Sequence, residues 1–414
     1  MSTSSSTASV DSDNEMSSFL ENLRQRCVQR GFDVCDPIHT AWYNNLIEEE
    51  GHLQKGTLKK LPEPRSIHIA NQRASAEDVS SSSLSYNAVL IGNSKSIWPE
   101  FIQWIHTQYT LKVENCTNDH DERRKGLDLI LQSNPFDTFV MDRLLEVFKT
   151  CCNGNGNGRE AESEAIPSKI ASYEFFWSSG NRTKVNVINA KTILDQDGDA
   201  SASTTRKTDQ YHCFASKDDS FLVSMQRVAK VTGKYWHDEE GTKLCVHPKF
   251  GTWKAFRAVV VFTTRQEYNI ENNRMQNDEV IPAQPPYCPC PVIAEEITAA
   301  KDTMEYAIKV SSGESNIDYG VMSSTTDGDG DSSNDQDRLC TYLHNTVTPG
   351  SNWTKVPLSM RPWIQLRDCI TIGRDEHKYS DPQLLYHYTK DPDILINELR
   401  KRSDLLRINI DNIV

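Results

Sequence analysis

The chain has 414 residues, enough for one large domain or two of ordinary size. Its formal net charge is −13, which disfavours a nucleic-acid or anionic-membrane partner. No apolar run approaches the ~18 residues of a membrane span.

Residues 1–16 are Ser-rich and acidic, lack arginine, and resemble neither a secretory signal nor a mitochondrial presequence; they are expected to be a disordered tail. The 11 cysteines, an odd number, then point to reduced thiols in the cytoplasm rather than a disulfide framework. Ser18 followed by Glu21 has the capping-box spacing, and Phe19, Leu20, Leu23 and Cys27 recur at helical period before Gly31. A second short helix or turn is expected from Ala41-Trp42-Tyr43-Asn44 and a loop or insert over 54–85, with the least patterned part near 66–84. Tyr86 to Ile91 reads as a strand feeding a helix through Ile97, Phe101, Ile102 and Ile105, with Pro99 near its start. Another helix runs from Phe136 to Phe148.

Low-complexity inserts are expected near 153–166, 195–210 and 311–337. A hairpin is expected from 170–177 and 183–190, turning through Ser178-Ser179-Gly180-Asn181. Leu222 to Trp236 is expected to be a helix with Gly233 inside it, at a cost of ~1 kcal/mol against alanine. A long polar connection, 263–291, leads to a helix from Val292 to about Val310. Ser380 and Pro382 open the last helical region. The expected organisation is a single domain over 17–410 carrying the inserts.

The most informative stretch is Lys243 to Phe262, KLCVHPKFGTWKAFRAVVVF. From Trp253 it reads as a strand, with Trp253, Ala255, Arg257, Val259 and Val261 on one face and Lys254, Phe256, Ala258, Val260 and Phe262 on the other. Arg257 therefore falls on a largely apolar face. A buried guanidinium needs either an internal Asp or Glu, or an anionic ligand gripped by its bidentate fork.

Other chemistry-bearing patterns are weak. Asp327, Asp329 and Asp331 have calcium-loop spacing, but Ser332 and Arg338 stand where that loop needs Gly and Glu. Cys288-Pro289-Cys290 lacks a partner pair at zinc spacing, and a lone His237 or His247 is more often structural than a ligand. No metal site is expected. GxGxxG, P-loop and GxSxG motifs are missing from the sequence.

The block CVHPKFGTWKAFRAVVVF resembles the signature strand of the cobalamin-processing CblC family. Further blocks agree in order: GFDVCDPIHTAWYNNL (31–46), AVLIGNSKSIWPEFIQWI (88–105), NPFDTFVMDRLLEVF (134–148), IASYEFF (170–176), MQRVAKVTGKYW (225–236) and RDCITIGRDEHKYSDPQ (367–383). The resemblance implies an α+β, flavin-reductase (nitroreductase-like) fold, a mainly antiparallel sheet flanked by helices. It implies base-off binding of cobalamin, decyanation driven by reduced FMN or FAD, and dealkylation by glutathione.

Carried over residue by residue, Cys245 and Phe256 line the corrin pocket. The segment Val223, Ser224, Met225 and Gln226 contacts corrin amides, with Gln226 alone keeping the family residue. Gly233 keeps a helix glycine. Arg257 and Arg367 match two of the three arginines that the resemblance implies hold glutathione carboxylates. Three departures stand out: Lys230 replaces a histidine, Thr252 replaces the second glycine of a pair begun by Gly251, and no arginine stands near Ile394 or Leu395, where a third is implied. Lys390 could restore part of that charge without bidentate geometry. A downstream cobalamin-trafficking protein and a ligand-induced homodimer are the implied partners. Two readings stand beside the enzymatic one: a non-enzymatic cobalamin carrier or chaperone, and a flavin-dependent oxidoreductase with no corrinoid role.

Overall fold

The structure is a computed structural model and describes residues 8–63, 67–69, 86–111, 120–132, 134–153, 170–180, 182–186, 214–216, 222–264, 279–281, 292–312 and 356–406. The calcium-loop aspartates, the Cys-Pro-Cys triplet and nearly all of the expected inserts lie outside these residues. The chain divides into two compact units: Met1–Glu100, Phe136–His237 and Lys254–Pro289 form the first, and Phe101–Pro135, Asp238–Trp253 and Cys290–Val414 the second.

The first unit is a mixed helix and antiparallel-sheet structure. Helix α1 (Ala8–Gln29) begins before Ser18, which therefore lies inside the helix instead of capping it. Phe19, Leu23 and Cys27 are buried along one stripe. The helix ends in a turn in which Phe32 N–H donates to Cys27 O (2.9 Å) across Gly31 (φ 84°). A Cβ at Gly31 would stand 2.7 Å from Ile97 Cα, so glycine is also the residue that fits the space.

Six strands follow in the order β1-β3-β9-β4-β5-β6: β1 Val34–Ile38, β3 Ala88–Asn93, β4 Ile170–Trp177, β5 Arg182–Asn186, β6 Phe214–Ser216 and β9 Ala255–Thr264. Every pairing in this sheet is antiparallel. The expected hairpin is present as β4–β5. Strands β3 and β9 are central, so they read as continuous apolar runs, and β3 is buried throughout. Phe262 of β9 packs edge-on to Phe19 of α1 (5.4 Å) and stacks on Phe148 (6.0 Å) of α5, Pro135–Asn153. Helix α2 (Thr40–Glu49) buries Trp42, Tyr43 and Ile47, and α3 runs over Ile97–Tyr109.

Two expected connections contain strands: β2 (Ile67–Ile69) pairs parallel with β10 (Glu279–Ile281). The expected helix over 222–236 is also shorter. Only Met225–Val231 is helical (α6), with Ser224 at its N-cap and Gly233 in the left-handed region just beyond it (φ 72°). Gly233 is thus the stop of the helix and not a costly interior residue. Trp236–His237 is already a strand, β7.

In the second unit, α7 (Ala294–Ser312) packs on α8 (Arg361–Asp368) through Ala300, Leu366 and Cys369, with Leu244, Met304 and Trp363 around them. This unit also contains α4 (His120–Gln132), which no sequence pattern marked, because its buried stripe is little more than Leu127 and Leu131. The rest is β8 (Cys245–Val246), α9 (Arg374–His377), α10 (Asp381–Thr389, with Ser380 at its N-cap as expected) and α11 (Pro392–Leu406).

Candidate functional site

In the first unit, three sequence blocks meet at Phe256. Asp36 is a nearly buried carboxylate in β1; its two oxygens accept from Lys234 Nζ (2.6 Å) and the Tyr235 hydroxyl (2.5 Å). Charge-assisted hydrogen bonds of this kind fix the donor side chains. Tyr235, held this way, presents its ring edge-on to Phe256 (5.5 Å, 73°). The Lys254 ammonium sits 5.2 Å from the Tyr235 ring and 5.3 Å from the Phe256 ring, although the residue is only 8% exposed. Helix α6 packs on β3 and β9 in the same unit. The result is a buried aromatic corner with a cation between its rings.

The start of α6 is anchored by Tyr43, whose hydroxyl accepts the Ser224 N–H (3.2 Å). Burial pushes Tyr43 up to about 12, so it is a neutral phenol at physiological pH. Val223 and Met225 are buried, Ser224 is half-buried and Gln226 is exposed. Lys230 lies 3.7 Å from Glu50, which also takes Arg227 Nε at 2.5 Å. Arg227 Nη2 meets His52 Nε2 at 2.6 Å, and since a guanidinium only donates, that nitrogen must be the acceptor. His52 is then the neutral tautomer with its proton on Nδ1, shared with Thr57 Oγ1 (3.0 Å). Desolvation and the Arg227 charge both lower its pKa, in agreement with that assignment. Lys230, where the sequence resemblance implied a histidine, is thus a member of a charged cluster.

Arg257 is placed by an irregularity that strand alternation does not reveal. Ile91 pairs with Ala258 and Gly92 with Phe256, so Arg257 is the extra residue of a β-bulge. A Cβ on Gly92 would stand 2.6 Å from Ala255 O, so the bulge requires glycine opposite it. Strict alternation sets Arg257 and Phe262 on opposite faces. Instead the Arg257 guanidinium lies 4.7 Å from the Phe136 ring of α5, the helix whose Phe148 stacks on Phe262. Its Nε donates to Asn93 Oδ1 (2.6 Å), and Asn93 is fully buried. A side-chain amide and a ring are thus among its partners.

Arg367, in the second unit, is held differently. Its Nε and Nη2 both donate to the Thr252 carbonyl (3.2 and 2.9 Å), and its guanidinium faces Trp253 (4.3 Å) and Tyr379 (4.8 Å). Thr252 Oγ1 donates back to Arg367 O (2.7 Å). Thr252, where the sequence resemblance implied a second glycine, therefore adds a tie between two segments. These segments also cross at two left-handed glycines. A Cβ on Gly251 (φ 55°) would stand 1.8 Å from Ile372 O, and one on Gly373 (φ 64°) 2.1 Å from Lys249 O. Trp253 N–H donates to Phe250 O (2.9 Å), which keeps Trp253 in this turn, so the strand starts at Ala255 and not at Trp253.

Cys245 is buried in β8 of the second unit. Ile394 and Leu395 are buried in α11, at 7% and 0% exposure, so neither position has room in water for a guanidinium. Lys390 takes a left-handed conformation (φ 55°) with its ammonium 5.4 Å from the Tyr386 ring. His247 Nδ1 accepts from the N–H groups of Lys249 (3.0 Å) and Phe250 (3.2 Å), a turn-stabilising role. Among the described residues, neither His237 nor His247 belongs to a cluster of ligating side chains. Sequence reasoning passed over Asp36, Asn93, Tyr235 and Lys254; a polar residue inside or at the end of an apolar strand is the signal that marks the first two.

Among the described residues, no helix is long and apolar enough to cross a membrane. No protein-family model matches the chain, and no curated protein matches it. Among solved structures it is similar to a C. elegans B12-trafficking protein, CblC, itself described as a human MMACHC homologue. The two are 14% identical, with a TM-score of 0.40, over 92% of this chain and 96% of that one.

Proposed function

We propose that this chain is a cytoplasmic cobalamin-processing protein of the CblC type, built on a flavin-reductase-like arrangement of sheet and helices. The observation that carries the reading is the Asp36–Tyr235–Phe256 corner. It joins the block 31–46, the block 225–236 and the signature strand around one aromatic surface. Phe256 supplies a ring for the corrin face, and Tyr235 and Lys254 supply an edge and a cation for its amide-bearing rim. Asp36 holds Tyr235 in place, and α6, which carries the exposed Gln226, packs on the sheet.

Bound reduced flavin would supply the electrons that loosen an axial cyanide; the protein's part is to orient the two partners and shield them from water. For dealkylation, Arg257 would hold one glutathione carboxylate, exchanging the Asn93 amide for it. A carrier that binds and hands on cobalamin is favoured by one observation: both ends of the Arg367 fork are already engaged by Thr252.

Visible spectroscopy tests the reading. Cyanocobalamin mixed with the protein should shift to a base-off spectrum, and reduced flavin should then give cobalamin(II). No shift overturns every corrinoid reading, including the carrier. A shift without reduction leaves the carrier and removes the reductase.

A further inference from the structure

Lys254 brings a positive charge close behind the Phe256 ring. It stands immediately before β9 and is 8% exposed, with its ammonium 5.3 Å from that ring and 5.2 Å from the Tyr235 ring. Taking an ammonium this far out of water is unfavourable, and contact with two rings offsets part of that. Asp36, the carboxylate of the same corner, is already matched by Lys234 Nζ (2.6 Å). Tyr235 is 2% exposed, whereas Phe256 is half-buried and is the member of the corner that reaches solvent. A flat ligand resting on the Phe256 ring at van der Waals distance would stand within about 10 Å of the ammonium. With protein and not water between them, one unit charge changes the affinity for another by roughly tenfold at that separation.

We propose that Lys254 is a specificity-determining residue that makes this site select corrinoids by their overall charge. It favours the neutral forms, such as cyanocobalamin and methylcobalamin, over the cationic aquacobalamin. It also favours the cobalt(I) form over the cobalt(II) form. The inference rests on the reading of the Phe256 corner as the corrin seat and adds what that seat prefers. The direction follows from charge alone. An anionic upper ligand cancels the positive charge remaining at cobalt(III), and a water in its place does not. One electron added to the neutral cobalt(II) form makes the molecule anionic. A nearby ammonium repels the aqua form and stabilises the anionic one, and it need not touch the cobalt to do either. A processing protein with this preference retains corrinoids whose upper ligand has still to be removed and turns away those already stripped.

The test titrates the full chain with cyanocobalamin and with aquacobalamin, at mildly acid pH where the cobalt-bound water stays protonated, and follows the visible spectrum of each. The unaltered chain should bind cyanocobalamin at least about tenfold more tightly than aquacobalamin. In Lys254→Met, which keeps an apolar stem of similar length, that preference should fall about tenfold, and in Lys254→Arg it should stay. Lys60→Met removes an equal charge from a surface pair with Glu48 (2.7 Å), where the lysine side chain is 46% exposed and screened, and should leave the preference as it is. The cobalt(II)/cobalt(I) midpoint potential of the bound corrinoid should be lower in Lys254→Met by about 59 mV, a tenfold change for one electron. An unchanged preference in Lys254→Met, or an equal fall in Lys60→Met, would overturn the proposal while leaving the corrin seat intact. Failure of both corrinoids to bind the unaltered chain would instead overturn the reading of the seat itself. Where Lys254→Met does not fold, the unaltered chain decides: equal affinity for the two corrinoids overturns the proposal.

Discussion

Arg257 and Arg367 carry the same expected role and sit in opposite kinds of surroundings. Arg257 stands at a bulge, hydrogen-bonded to a side-chain amide and resting on one ring. Arg367 grips a backbone carbonyl with two donors, lies between two aromatic rings, and has its own carbonyl tied back by Thr252. The partner of Arg257 is a side-chain amide, itself held by Nδ2 donating to Ser94 O (2.9 Å), whereas the partner of Arg367 is a backbone carbonyl next to the crossing glycines. The contrast makes Arg257 the better anion-binding candidate and Arg367 chiefly a staple of its unit.

The largest effect should come from breaking that staple at its crossing. Gly251→Ala meets a backbone oxygen and takes a left-handed conformation, so it should cost more than ~3 kcal/mol. Gly56→Ala, equally left-handed but with nothing within 4 Å, should cost only ~1 kcal/mol. Chemical denaturation of both variants measures the difference, and equal losses would remove the role given to the crossing.

Next come the arginines themselves. Arg367→Ala should lose ~2–3 kcal/mol, through two charged hydrogen bonds and two ring contacts, and Arg257→Ala about 1 kcal/mol. Methylcobalamin turnover against glutathione concentration should show the reverse order. Arg257→Ala should raise the glutathione requirement about tenfold, with flavin-driven decyanation spared. Phe256→Ala should instead weaken cobalamin binding and so depress both activities. If Arg257→Ala and Phe256→Ala lower both activities alike while folded, the division of labour between neighbours is refuted.

The first unit should also show a pH response of its own. His39 is fully buried beside Trp42, and among the described residues neither ring nitrogen has a hydrogen-bond partner. Burial lowers its pKa from 6.5 to about 4. The unfolded chain therefore takes up this proton first as pH falls, so the stability is whole above pH 6.5 and drains away toward pH 4, by up to ~3 kcal/mol. His39→Leu should flatten the melting temperature between those values; an unchanged slope would assign the acid sensitivity elsewhere.

The smallest effect is expected at Thr252. Thr252→Gly deletes one hydrogen bond and frees the chain, for a loss of ~1 kcal/mol, with the Arg367 grip on the carbonyl kept. A loss as large as that of Arg367→Ala would make the threonine hydroxyl the main clasp. The glutathione clamp could instead be sought by adding charge at Leu395, but Leu395→Arg would bury a guanidinium and unfold α11 before it bound anything.

The sequence by itself determined the elements with strong local patterns. The β4–β5 hairpin, the buried runs of β3 and β9, α5 entered from Asn134-Pro135 and α10 with Ser380 at its N-cap position and Pro382 in its first turn follow from side-chain period and turn chemistry, which act over a few residues. Tertiary structure alone decided the bulge at Arg257, the ending of α6 at Gly233, and the pairing of β2 with β10 across two stretches that read as loops. It alone brought Asp36 to Tyr235 and Thr252 to Arg367. These depend on which backbone or side chain arrives from a distant part of the chain, and local propensity carries no record of that. A single residue inserted into a ladder is enough to re-aim an arginine whose address strand alternation would have misread.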